Sequence, residues 1–204
     1  ALFSLPMGLG LSVLSAPICI AVFGAKLSVP ITARTLAVMG IAAVFASLST
    51  PIFSMLQAVG RVDLPVKILC IGLGLKIAVN YFLTGIAEMN ILGAGIGTLV
   101  CYVFITVAAC RALCKETKIR LGFHTVFTKP AFSALFCSVA AYTACYAMMR
   151  ILPVWLAAFF AVCIACVVYL ISLLCLRGLY KEDILMLPKG EKLVKTLEKY
   201  RLIM

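Results

Sequence analysis

Six long apolar stretches, separated by short breaks that hold most of the charge, constrain this chain more than any other feature. They cover about residues 2–24, 35–58, 66–86, 91–110, 130–150 and 154–176. A helix needs roughly 20 mostly apolar residues to cross the hydrocarbon core of a bilayer, and each stretch is about that long. Lipid offers no partner to backbone N–H and C=O groups, so a segment of this kind must satisfy them internally, as a helix does. Of the 204 residues 65% are hydrophobic and 12% charged, against about 45–50% and about 25% in soluble domains. Too few polar residues remain to cover a soluble globule. The sequence predicts an all-α integral membrane protein: a bundle of about six transmembrane helices over residues 1–180, then a basic tail over 181–204.

The breaks suggest an orientation, because Lys and Arg concentrate on the cytoplasmic side. Arg111, Lys115, Lys118, Arg120 and Lys129 fall in one break beside a single acid, Glu116, and Lys181, Lys189, Lys192, Lys195, Lys199 and Arg201 lie in the tail. Two spans separate these groups, so both can be cytoplasmic. The Arg61/Lys67 break is then inside, and the Glu88 and Arg150 breaks outside; only Lys26 and Arg34 run against the rule. Basic loops beside an anionic leaflet account for most of the net charge of +11, with no nucleic-acid partner required. After Pro188-Lys189-Gly190 the tail reads as a basic amphipathic helix, suited to a membrane surface. The chain opens on Ala1-Leu2-Phe3, inside an apolar run and without a basic leader region, and is read as the C-terminal part of a longer protein.

The ten cysteines sit almost entirely within apolar runs, where Cys behaves as a small hydrophobe. Even Cys163-x-x-Cys166 reads as packing within a helix, and no metal or redox centre is expected. Pro17 and Pro51 fall well inside the first two spans, where each removes a backbone donor and favours a kink. Gly93, Gly97 and Cys101 recur every four residues, a small-residue stripe for close helix contact.

Lys76 stands apart. It lies nine residues past Lys67, at the cytoplasmic end of its span, hence roughly 13 Å into the membrane at about 1.5 Å per residue. A charge at that depth costs at least about 2.5–3.5 kcal/mol on insertion scales, and such groups usually face a wet cavity, a partner or a polar ligand. Asn80 follows one turn later on the same face. No acid occurs in any of the six stretches to neutralise the lysine. Snorkelling, or a carboxylate outside this sequence, is the alternative to a cavity role. Enzymatic chemistry is not expected: His124 is the only histidine, and neither a nucleophile–base pair nor a phosphate-cradling loop accompanies it.

Four motifs then occur in order: Leu5-Pro6-Met7-Gly8 through Ala16-Pro17-Ile18; Pro51-Ile52-Phe53-Ser54-Met55-Leu56-Gln57-Ala58-Val59-Gly60-Arg61; Lys76-Ile77-Ala78-Val79-Asn80-Tyr81; and Asn90-Ile91-Leu92-Gly93-Ala94-Gly95-Ile96-Gly97-Thr98. Together with the tail from Lys181 through Leu193, they resemble the stage V sporulation protein B branch of the polysaccharide flippases, within the multidrug/oligosaccharidyl-lipid/polysaccharide exporter superfamily. The resemblance implies a two-lobed transporter with a central cavity, of which these residues would form the C-terminal lobe, MATE-like in fold. It implies a bacterial cell-membrane protein that moves undecaprenyl-pyrophosphate-linked saccharide, such as a peptidoglycan or polysaccharide precursor, by alternating access. Its expected partners are that lipid-linked substrate, membrane lipids and the missing N-terminal lobe, and no cofactor is expected. Lys76, Asn80, Arg34, Gln57 and Arg61 are the substrate-binding candidates, chosen for polarity and position. A multidrug exporter of the same superfamily, a non-transporting scaffold subunit and a membrane-bound transferase are the alternatives.

Overall fold

In the computed structural model, residues 4–24, 29–86, 90–117, 123–149 and 153–175 are described, with side chains except at 90, 123–131, 170 and 173–175. They form seven α-helices: α1 Ser4–Val13, α2 Ser15–Phe23, α3 Val29–Ala58, α4 Asp63–Thr84, α5 Asn90–Thr117, α6 Phe123–Met148 and α7 Val154–Cys175. Among the described residues there is no strand. The readings placed on Lys26, Glu88, Lys118, Arg120 and Arg150, and on the tail over 181–204, lie outside the described residues.

Three helices are long and apolar enough to cross a membrane: α3, α4 and Ile91–Thr117 of α5. A fourth crossing arises if α1 and α2 act as one broken span. The described apolar parts of the last two helices are shorter, Phe132–Met148 and Val154–Tyr169, and six crossings would need both of them as spans. The all-helical class and the membrane-length apolar helices agree with the sequence.

The first apolar stretch is not one helix. It bends by 65° between α1 and α2, at Leu14. Pro17 causes this from three residues away: it has no N–H for the Val13 carbonyl, and its ring crowds that carbonyl. The ladder continues on either side, where Leu14 N donates to Gly10 O at 2.9 Å and Ile18 N to Leu14 O at 3.0 Å. Pro51, by contrast, lies within α3, which stays a single 30-residue helix. Hydroxyls crowd that segment and bond back to the helix: Ser47 to Ala43 O, Thr50 to Ala46 O and Ser54 to Thr50 O, at 2.8, 3.3 and 3.2 Å. Neighbouring Ser and Thr side chains of this kind help a membrane helix tolerate proline.

Two boundaries differ from the apolar pattern. Helix α3 starts at Val29, so Arg34 belongs to a helix and not to the first break, and α5 runs on to Thr117, taking Arg111, Lys115 and Glu116 with it. Hydropathy marks what lipid accepts; Arg, Lys and Glu are also good helix formers, and nothing in their chemistry ends the helix.

The helices pack as an open row. Helix α5 lies between α3 and α4, the bent α1–α2 pair lies on α3, and the α6–α7 hairpin packs on that pair. One core joins α1 and α2 to α6 and α7 through Leu14, Ala134, Cys137, Ala141, Ala161 and Ala165. A second joins α4 and α5 through Ile68, Cys101, Ile105 and Ala109, with Ile52 and Phe53 of α3 packed against it. Small residues dominate the first of these seams, letting helices approach closely where lipid supplies no hydrophobic drive. At the crossing of α1 and α3, a Cβ added to Gly8 would lie 2.6 Å from the Gly40 carbonyl oxygen, so neither glycine has room for a side chain.

Candidate functional site

Helices α4 and α5 are antiparallel neighbours, and the small-residue stripe of α5, read from the sequence as a surface for close helix contact, faces α4. A Cβ on Gly93 would meet Leu83 at 3.0 Å, and one on Gly97 would run into the Asn80 carboxamide oxygen. One turn on, the buried Cys101 thiol donates to the Gly72 carbonyl at 3.1 Å. On the other side of α5, Thr106 donates to Phe45 O of α3 at 2.9 Å. The helix that carries Lys76 is thus held along one face, while Val66, Ile71, Ile77, Tyr81 and Phe82 leave much of its remainder exposed and apolar.

Lys76 is half-buried where this seam opens. With Leu69 and Leu73 of α4 and Cys101, Tyr102 and Ile105 of α5 it lines a groove of about 230 Å³. Among the described residues the acids are Asp63 and Glu116, and both are paired elsewhere. No ion pair to Lys76 occurs among the described residues.

Asn80, one turn further along α4, faces α5 more closely than Lys76 does. Its Oδ1 is buried against Gly97 and accepts no hydrogen bond. A buried acceptor without a donor costs about 1–3 kcal/mol, so this carboxamide sits in a contact that does not satisfy it.

The other three candidates lie elsewhere. Arg34 is exposed near the start of α3 and Gln57 exposed near its end, 23 residues or roughly 35 Å apart along the helix. Arg61, in the turn between α3 and α4, pairs with Glu116 near the end of α5 at 2.8 Å. The hydrogen bond to that carboxylate, then its charge, raises the pKa of the guanidinium above its ordinary value. Lys67 pairs with Asp63 at 3.0 Å, one turn back on α4. Of the five candidates only Lys76 and Asn80 share a place. Arg61 instead ties the α3–α4 turn to the far end of α5, which puts the Arg61/Lys67 break and the Arg111 region at the same end of the bundle.

Cys101 and Tyr102 were not picked out as groove residues from the sequence. The signal was the four-residue repeat of Gly93, Gly97 and Cys101, which fixes the face of α5 turned toward Lys76. Cys163 and Cys166 differ from expectation in the opposite sense. Both are exposed on α7, because that helix buries Ala157, Ala161, Ala165 and Tyr169 and turns the cysteines away. Among the described residues, no group of three or more His, Cys, Asp or Glu could hold a metal ion.

Fold and site together define, among the described residues, an all-helical arrangement with apolar helices of membrane length, one of which carries a half-buried cation with no acid paired to it. No protein-family model, curated protein or solved structure matches the chain.

Proposed function

We propose that this chain is one lobe of a membrane flippase that moves undecaprenyl-pyrophosphate-linked saccharide across a bacterial cell membrane by alternating access. In this reading α1–α2 act as one span and α6 and α7 as two more, giving six crossings with the chain's C-terminus in the cytoplasm. Lys76 carries the proposal. An ammonium held in the middle of an apolar helix, half-buried and without an acid partner among the described residues, suits an anionic ligand, since charge-assisted bonds to phosphate are strong. Asn80 lies one turn away as a second polar group, and Arg34, Gln57 and Arg61 would meet the headgroup at other stages of its passage. The motif order Leu5–Ile18, Pro51–Arg61, Lys76–Tyr81 and Asn90–Thr98 supports the family assignment. A multidrug exporter taking cationic substrates fits less well, because the described acids sit at helix ends in ion pairs.

Complementation of a flippase-deficient strain by the full transporter tests this. Lys76→Ala should abolish or sharply reduce complementation at unchanged protein level. Lys76→Arg should keep part of it, since charge persists while its geometry changes. Full complementation by Lys76→Ala would remove the cavity role and leave snorkelling as the account of this lysine.

A further inference from the structure

Among residues 92–117 of α5, the exposed ones are Val100, Phe104, Val107, Arg111 and Lys115. They recur every three or four residues, which places them within an arc of about 80° on one face of the helix. Neither neighbour covers that arc. Helix α5 meets α4 through Cys101, bonded to Gly72 O, and α3 through Thr106, bonded to Phe45 O. Tyr102, which lines the Lys76 groove, lies about 180° round the helix from Arg111. The stripe and the groove are separate places.

The stripe changes character along its length. Val100, Phe104 and Val107 are apolar, and the two positions that follow are cations. From Val100 to Arg111 the helix rises roughly 16 Å, close to the depth of one leaflet's hydrocarbon, half of a core of about 30 Å. Arg111 and Lys115 are one turn apart, and no acid is paired to either among the described residues: Glu116 is held by Arg61 and Asp63 by Lys67.

We infer that this face of α5 holds an anionic phospholipid from the leaflet at the Arg111 end of the bundle. One acyl chain lies along Val100, Phe104 and Val107, and the phosphate sits between Arg111 and Lys115. Charge complementarity selects the occupant. A zwitterionic lipid brings a cation of its own, which the two side chains repel, whereas an anionic one offers a phosphate for charge-assisted bonds. The inference does not need the flippase reading, only that α5 crosses a membrane.

Tryptophan quenching by brominated lipids tests the site. Trp155 is the only tryptophan, so Phe104→Trp in a Trp155→Phe background reports on lipid beside the stripe when the purified chain is reconstituted in bilayers. Brominated phosphatidylglycerol should be favoured over brominated phosphatidylcholine there by about 5–30-fold, the scale of two cations near the surface. Arg111→Gln and Lys115→Gln should each lower the preference about fivefold and together bring it near parity, while Arg111→Lys should keep most of it. Phe159→Trp, exposed on α7, should show no preference in the same background. Equal quenching by the two lipids at position 104, or a preference unchanged in the single Gln variants, would overturn the site. So would the same preference at position 159, which would make the effect one of bulk charge. Loss of the preference on adding inorganic phosphate at fixed ionic strength would make this a free-anion site instead. Quenching at 104 by neither lipid would mean that protein, such as a second copy of the chain, covers the stripe, and the lipid would have no place there.

Discussion

At the scale of single residues, the contact between Asn80 and Gly97 is the most informative. The carboxamide fits because position 97 has no Cβ, yet its oxygen gains no hydrogen bond there. Gly97→Ala should therefore destabilise the helix pair, by the roughly 1–3 kcal/mol typical of overpacking. Asn80→Ala alone should be near neutral, because it removes an unsatisfied buried acceptor together with its contacts. The double variant should recover most of the loss, which thermal unfolding in detergent would show as non-additivity. If Gly97→Ala costs the same with and without Asn80, the two do not touch in this way. Sequence reading reached Asn80 and the Gly93–Gly97–Cys101 stripe separately, and took the first for a cavity residue and the second for packing. That they meet depends on the register of α4 against α5, which is a property of two helices and is written in neither. Lys76 was legible because its chemistry is wrong for its surroundings whatever its neighbours are.

At the scale of elements, the sequence located apolar stretches well and breaks within them less well. A proline was visible inside each of the first two stretches, and both were expected to kink. Only the first stretch breaks, because the Val13 carbonyl loses its donor at Pro17, while Pro51 is embedded among Ser47, Ser49, Thr50 and Ser54. Pro17→Ala should then let α1 and α2 approach a single straight helix. That change would pull α2 away from α7 or α1 away from α6, since the bent pair touches both. Paired cysteines across α2 and α7, in a background lacking the native ones, should crosslink less efficiently in the Pro17→Ala protein. Unchanged crosslinking would mean that packing, and not the missing donor, sets the bend. The Arg61–Glu116 pair is a weaker element-scale tie. Both groups are reached by solvent, and exposed pairs contribute little, so Glu116→Gln should leave thermal stability unchanged within error.

At the scale of the whole molecule, topology is the first test. The Arg61–Glu116 contact places two basic regions at one end of the bundle, as the charge pattern requires. With single cysteines at 88 and 124 in a Cys-free background, an impermeant thiol reagent on intact cells should label position 88 and spare 124; the reverse result would overturn the orientation.

The row-like packing carries a further consequence. Helix α4 is at the end of the row, held chiefly by α5, and among the described residues the Lys76 groove is lined by α4 and α5 alone. Alternating access needs two bundles rocking about a site between them, and a single lobe would supply one wall. On the proposed reading, the 204 residues expressed alone should insert but fail to move lipid-linked saccharide in reconstituted vesicles. Co-expression with the other lobe should restore flipping where the halves assemble, and Lys76→Ala should block that restoration. Robust flipping by the isolated chain would mean that a second copy supplies the opposing wall. The lysine would then face its own counterpart across a symmetric pathway, and the two-lobed reading would give way to a homodimer.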